Sequence, residues 1–275
     1  MKVPIETIQL FPVLDQKLIE VLRSLTPEEW NLPTVARLWT VKDVAAHILD
    51  THMRTLSIGR DGYLGDPPGN IQSSQDLIDY LNRVNADWVA ASKRISPAVL
   101  IDLLEVYCKA ASDYTATLDP MAPAPWGVSW AGEEVSANWF NIAREYTEKW
   151  HHQQQIREAV NKPGIMTEEL YHPFLDTFMR ALPFTYRHMP AAEGTILQVT
   201  LTGVGCGHWY IEKRTQWQLI PAPANEPAAH TTIDGSVAWK LFSKSWRRKE
   251  VAPYVSIEGD QRLGEVVLDM VSVMA

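Results

Sequence analysis

The sequence predicts an N-terminal all-α four-helix bundle followed by a smaller C-terminal α+β domain. Signals that start helices recur through the first two-thirds of the chain, and the hydrophobic period changes from helical to alternating after about Pro190. The chain of 275 residues, 46% of them hydrophobic, is also long enough for two ordinary domains with cores of their own. We therefore expect domains at residues 1–190 and 191–275.

The predicted helices of the bundle begin with residues that commonly cap a helix N-terminus, and some add an acidic residue or proline that strengthens the signal. These positions are Thr40 with Asp43, Ser73 with Asp76, Ser96 with Pro97, and Ser136. A first helix over roughly residues 5–25 and another after Thr167 complete a bundle of at least four long helices.

The C-terminal third contains short runs of β-branched and aromatic residues that alternate with polar ones between Gly, Pro and Asn. The predicted strands are GTILQVTLTG, HWYIEKR, TQWQLIP, AHTTID and YVSIEG. Two helices, SVAWKLFSKSW and DQRLGEVVLDMVSV, are predicted with them, the second capped by Asp260. This mixture predicts an α+β domain.

The amino-acid composition disfavours several classes of binding partner. The 25 Lys and Arg residues against 33 Asp and Glu give a net charge of −8, which disfavours binding to nucleic acid. No run of about 18 apolar residues predicts a membrane span, and prolines interrupt the apolar character that a signal peptide needs. Cys108 and Cys206 form no C-x-x-C motif. We expect a cytoplasmic monomer or homodimer that binds neither nucleic acid nor membrane.

Glu148 and His152 are the first candidate ligands. They are four residues apart, so a helix places their side chains on one stripe with Cβ atoms roughly 5–6 Å apart. Imidazole and carboxylate together suit zinc or a similar divalent metal, which needs a third protein ligand. The alternative is a solvated Glu–His pair. His151 projects about 100° away, so it does not easily share the ligand role.

The third ligand must come from another helix, and the candidates are His47 and His52. The stripe that His47 shares with Asp43, Asp50 and Arg54 fits either a solvated face or the lining of a polar pocket. His52 lies nearer the apolar side, which favours a packing role. The spacing leaves this choice open.

Two motifs resemble a known family. The run WTVKDVAAH, which ends at His47 and follows LTPEEWNLPT, resembles the second helix of DinB-like metal-binding bundles. The runs WAGEEVSA and REYTEKWHH, the latter ending at His152, resemble the metal-binding helix of mycothiol-dependent maleylpyruvate isomerases. The resemblance implies a zinc site formed by His47, Glu148 and His152. It departs at Gln155, where the family often has an aspartate.

The C-terminal third resembles the sterol-carrier-like second domain of these isomerases, through SVAWKLFSKSWRR and VSIEGDQRLGEVVLDMV. The resemblance implies a catalytic arginine in this domain. The family often has a Gly-Arg step where this chain has Trp246-Arg247, so either Arg247 or Arg248 could take the role. For both, a surface arginine is the alternative.

The resemblance therefore implies an enzyme that uses a divalent metal to activate a low-molecular-weight thiol, mycothiol or an equivalent, against a small electrophile. Isomerisation or thiol transfer is the expected reaction. Arg54 could hold a substrate carboxylate, or it could pair with Asp50 on the helix surface. The alternatives for the whole protein are a metal-dependent hydrolase on the same site and a non-catalytic protein that binds a small ligand or lipid.

Overall fold

A computed structural model of the protein describes residues 2–273, except for the side chain of Ser74. The helices are α1 (Phe11–Arg23), α2 (Val41–Arg54), α3 (Ser74–Ser92), α4 (Pro97–Ala116), α5 (Asn138–Ala159), α6 (Glu168–Met179), α7 (Leu182–Thr185), α8 (Gly235–Phe242), α9 (Arg248–Val251) and α10 (Gln261–Gly264). The strands are β1 (Ile196–Thr202), β2 (Gly207–Lys213), β3 (Trp217–Ile220), β4 (Ala229–Asp234) and β5 (Val255–Gly259).

These residues form two compact units. The helical unit comprises residues 7–119 and 148–165, and the sheet unit comprises residues 2–6, 120–147 and 166–273. The division thus falls inside α5, after Thr147. The boundary near residue 190 stays a prediction.

The helix starts in the helical unit follow local side-chain chemistry. Thr40 accepts a hydrogen bond from the Asp43 backbone N–H while Asp43 accepts one from the Thr40 backbone, so α2 begins with a complete capping box. Ser73 caps α3 in the same way, and Ser96 caps α4. α2 continues into a single π-helical segment, Thr55–Arg60.

The core of the helical unit lies between α1, α2, α4 and the second half of α5. α4 packs against α1 and α2, and α2 also packs against α3. Val44 and Leu49 of α2, Leu100 and Leu104 of α4, and Ile156 of α5 belong to one buried cluster. The packing of this cluster sets how α2 is placed against the second half of α5. Both helices carry predicted metal ligands.

The predicted start of α5 at Ser136 is wrong. The helix begins at Asn138, and the Ser136 hydroxyl instead accepts a hydrogen bond from Val128 N–H and donates one to Glu133. Both partners lie in the preceding loop, three and eight residues away, so local loop contacts take the side chain that the sequence pattern assigned to the cap.

The sheet unit has five strands in the order β3-β2-β1-β4-β5. β1 pairs in parallel with β4, and the other neighbours are antiparallel. α8 packs on β1 and β4, while α10 packs on β4 and β5. Gly235 is the first residue of α8. A residue with a Cβ would not fit here, because that atom would lie 2.4 Å from the Thr202 carbonyl oxygen.

The two C-terminal helices are shorter than predicted. α8 ends at Phe242, and Lys244 follows with a positive φ of 61°. α10 ends at Gly264 and continues only as the 3₁₀ segment Glu265–Asp269. The all-α plus α+β fold class is confirmed. Within residues 2–273, no helix combines the length and hydrophobicity required to cross a bilayer.

Candidate metal centre

The structure brings the three predicted ligands into one cluster of the helical unit. His47 lies on α2, and Glu148 and His152 lie one turn apart on α5. The His47 and His152 rings meet edge to face with centroids 4.6 Å apart. Glu148 Oε2 lies 3.2 Å from His152 Nε2. His152 therefore contacts both other predicted ligands, although the three residues do not offer ligand atoms that all lie within 4.8 Å of one another.

Three residues of the polar stripe of α2 are buried, so this part of the stripe is not a solvated face. His47 is 5% exposed, and Asp43 and Asp50 are also buried. Burial lowers the pKa of His47 well below its usual value, nearby His152 lowers it further, and Glu148 opposes the shift. His47 is thus neutral at physiological pH, and the neutral imidazole is the form that binds metals.

The donor set fits a divalent metal such as zinc. His47 Nδ1 is buried and has no hydrogen-bond partner, which costs free energy unless another group satisfies it. Two ligand atoms that bind the same zinc ion with tetrahedral geometry lie about 3.3 Å from each other. The 3.2 Å between Glu148 Oε2 and His152 Nε2 agrees with that separation.

Gln155 lies beside His152, at the position where the family that the motifs resemble often has an aspartate. His152 Nδ1 lies 3.0 Å from Gln155 Oε1, and Gln155 Nε2 lies 3.1 Å from His151 Nε2. His151 is therefore linked to the cluster, although its projection pointed away from the ligand stripe. Burial, followed by the neighbouring His152, lowers the pKa of His151 to about 3, so His151 is neutral.

Trp39 forms an apolar wall beside the cluster, a role that sequence reasoning missed. Its ring centroid lies 4.8 Å from that of His47 and 6.5 Å from that of His152. The Glu148 side chain, in contrast, is 28% exposed. Glu148 is therefore more accessible to solvent than His152, whose side chain is 12% exposed.

Arg54 makes the ion pair that the sequence offered as one alternative. Its Nε lies 3.0 Å from Asp50 Oδ2, and its Nη2 donates to Asn85 Oδ1 at 3.0 Å. Burial raises the pKa of Asp50, and the charge of Arg54 opposes that shift. Arg54 also lowers the pKa of His47, so its charge acts on the cluster.

A second convergence of metal-type donors lies elsewhere in the helical unit. Atoms of Asp15, His52 and Cys108 lie within 4.8 Å of one another. The Lys149 ammonium already lies between two of them, in an ion pair with Asp15 and 2.6 Å from His52 Nε2. Because a cation is already bound to these donors, we interpret the group as a buried ion network.

His52 is buried, as its expected place near the apolar side requires, and it also has polar partners. Its Nδ1 donates to the Ile48 carbonyl at 2.6 Å, which leaves Nε2 to accept from Lys149. Burial alone would raise the pKa of Asp15, but Lys149 and His52 together hold it well below the usual range. Burial raises the pKa of Cys108, so its thiol stays protonated. Asp15 on an otherwise apolar helix face was the sequence signal for this network.

The two candidate arginines of the sheet unit differ in their surroundings. Arg248 donates to Asp269 through Nε at 2.6 Å and contacts Glu265 at 3.5 Å. Arg247 is exposed and lines a cavity of about 340 Å³ with Trp246 and other residues. Arg248 is therefore paired with carboxylates of its own chain, whereas Arg247 is exposed at the cavity.

Comparison with known proteins identifies the family. The family model described as mycothiol maleylpyruvate isomerase N-terminal domain matches residues 12–157, which is more than half of the chain. The chain belongs to this family. The match includes all three predicted ligands and confirms the resemblance inferred from the two motifs.

Two solved structures resemble this member of the mycothiol maleylpyruvate isomerase family. One is a histidine-to-alanine variant of mycothiol-dependent maleylpyruvate isomerase, with a TM-score of 0.55 and 10% identity. The other is described as the mycothiol-dependent maleylpyruvate isomerase, with a TM-score of 0.52 and 11% identity. Each alignment covers 94% of this chain and 93% of the other, so the fold is shared over nearly the full length. No curated protein sequence matches the chain.

Proposed function

We propose that this protein is a thiol-dependent isomerase of the maleylpyruvate isomerase type, with a divalent metal, zinc in the first instance, held by His47, Glu148 and His152. The observation that carries the proposal is the contact of the buried His47 with the half-buried His152 and of His152 with Glu148, in which His47 Nδ1 lacks a hydrogen-bond partner. The family membership of residues 12–157 supports a thiol as the cofactor.

The roles of the residues follow from their surroundings. Bound at this ligand set, the metal would lower the pKa of a coordinating thiol and so supply a thiolate near neutral pH. His47 and His152 would hold the metal through ring nitrogens, and Glu148 would hold it through its carboxylate. Trp39 packs beside both imidazoles and covers part of this side of the site.

Isomerisation needs no net consumption of the thiol. The thiolate adds to one carbon of a cis double bond, the resulting single bond rotates, and elimination of the same thiolate restores the double bond in the trans form. Arg54 would hold a substrate carboxylate, since among the described residues its Nη1 makes no hydrogen bond. Arg247 stays our candidate for the catalytic arginine of the sheet unit, because Arg248 is already paired with Asp269.

The test combines metal content with a thiol-dependent assay on the purified full-length protein. Maleylpyruvate and mycothiol are the first substrates, with bacillithiol and glutathione in parallel. His47→Ala, Glu148→Ala and His152→Ala should each purify with little metal and lose thiol-dependent turnover, because two protein ligands remain. Glu158→Ala on the exposed face of α5 and His188→Ala in the sheet unit are matched controls that should retain both.

Three results would contradict the proposal. Stoichiometric metal in Glu148→Ala or His152→Ala would mean that the ligands are misassigned. Turnover that needs metal but no thiol would support the metal-dependent hydrolase instead. Wild-type protein that carries a lipid by native mass spectrometry and shows no turnover would support the non-catalytic binding protein.

A further inference from the structure

Gln155 differs from its two neighbours in a run of three buried glutamines on α5. Gln153, Gln154 and Gln155 are each less than a tenth exposed. Nε2 of Gln153 and Oε1 of Gln154 have no hydrogen-bond partner. Both amide atoms of Gln155, in contrast, contact histidines. Because burying an amide costs free energy unless it is hydrogen-bonded, Gln155 is the glutamine that the local structure satisfies best.

The chemistry of the amide fixes the direction of both hydrogen bonds. An amide oxygen only accepts, so the contact of 3.0 Å requires the proton of His152 on Nδ1. The amide nitrogen only donates, so His151 Nε2 accepts at 3.1 Å. Nε2 of a neutral His152 is then unprotonated, and this is the atom that lies 3.2 Å from Glu148.

We propose that Gln155 is a positioning residue of the metal centre: it holds His152 in the tautomer that directs Nε2 to the metal, and His151 holds the Gln155 amide in the required orientation. This inference rests on the proposed function, because it assumes a metal at His47, Glu148 and His152. A reversed amide would donate to His152 Nδ1 and place the proton on Nε2, where it blocks coordination.

The neutral amide also sets the charge of the centre. A carboxylate beside a ligand histidine raises the basicity of that ligand, whereas an amide orients the ring without adding negative charge. Glu148 is then the single anion among these residues, and the centre with a divalent ion keeps one net positive charge. That charge favours the thiolate form of a bound thiol, so the thiol loses its proton at a lower pH than beside an acidic partner.

Three substitutions separate these effects. Gln155→Met keeps the length of the side chain and removes both hydrogen bonds. Gln155→Glu keeps the acceptor for His152 and adds a negative charge. Gln154→Met is the matched control, since it changes a buried glutamine one residue away that, within the described residues, makes no hydrogen bond with either histidine.

The measurements are zinc affinity against a competing chelator, the visible absorption spectrum of the cobalt-substituted protein, and the pH midpoint of the thiolate-to-cobalt absorption band. Gln155→Met should weaken zinc binding about 10–100-fold and alter the cobalt spectrum. Gln155→Glu should bind zinc at least as tightly as wild type but move the thiolate midpoint to higher pH. Gln154→Met should leave all three unchanged.

Wild-type affinity and spectrum in Gln155→Met would overturn the inference, as would equal losses in Gln154→Met. Gln155→Glu provides a second route if Gln155→Met fails to fold, because an unshifted or lowered midpoint in that variant also contradicts the charge argument. A wild-type protein that binds neither zinc nor cobalt would refute the metal centre itself. Metal loss in His47→Ala together with an unaffected Gln155→Met would refute only the role of Gln155.

Discussion

The buried pair of Asp15 and Lys149 allows a quantitative prediction about stability. Their side chains are 12% and 10% exposed, so water screens the pair poorly. Ser112 donates to the other oxygen of Asp15 at 2.6 Å, and His52 lies 3.8 Å away. Asp15→Asn removes the charge at nearly constant volume and leaves the ammonium of Lys149 buried without its counterion.

Removing one partner of a buried pair typically destabilises a protein by about 3–5 kcal/mol, because the remaining charge is uncompensated. We expect Asp15→Asn to lower the free energy of unfolding by about that amount at pH 7. The matched control is Asp113→Asn on α4, whose partner Lys109 forms an exposed pair with side chains 77% and 64% accessible. That control should change stability by less than about 1 kcal/mol.

The effect should depend on pH in a defined direction. The pKa of Asp15 is lower in the folded protein than the unfolded value of about 3.9, so its charge stabilises the fold above that value. The contribution is lost as pH falls through the folded pKa, because the protonated carboxyl resembles asparagine. The difference between wild type and Asp15→Asn should therefore shrink as pH falls below about 4.

The assay is urea denaturation followed by far-ultraviolet circular dichroism at several pH values. Adding Lys149→Met to Asp15→Asn should recover part of the loss, since replacing both members of a buried pair is often close to neutral. A change below about 1 kcal/mol at pH 7, or one that stays constant between pH 7 and pH 3, would refute the reasoning.

Three further predictions follow from the fold and the centre. Thr40→Ala should cost about 1 kcal/mol in urea denaturation because it removes the hydroxyl that caps α2, and an unchanged midpoint would contradict the capping argument. Limited proteolysis should cleave first in the largely exposed stretch 187–195, as the predicted domain boundary requires, and cutting confined to the termini would contradict that boundary. Zinc at 1,000 times its dissociation constant should stabilise wild type by about 4 kcal/mol and leave His152→Ala unchanged, whereas equal stabilisation of both would place the metal elsewhere.

Features that depend on neighbouring residues could be predicted from the sequence. The capping box of Thr40 involves a partner three residues away, so the local pattern is sufficient to find it. The spacing of Glu148 and His152 placed both side chains on one helical stripe. The contact of Gln155 with His152 has the same short range, three residues, and could have been predicted from the helix period.

Features that depend on distant contacts could not be predicted in this way. His52 and Lys149 are 97 residues apart, and Asp15 and Lys149 are 134 residues apart. Helical projection assigned His52 to packing because it contains no information about the polar atoms that other helices bring. Ser136 fails for a different reason, since its partners Glu133 and Val128 are near in sequence but lie in an irregular loop with no periodic pattern to predict them.

The π-helical segment at the end of α2 has a consequence for changes in chain length. The Asp61 N–H donates to the Leu56 carbonyl at 3.0 Å, a bond that spans five residues where an α-helix spans four. Deleting one residue from Thr55–Arg60 would restore ordinary α-helical bonding and rotate the chain from Asp61 onwards by about 100°. Residues before the deletion, His47 among them, would keep their register. A single deletion here can therefore redirect the following segment without disturbing α2.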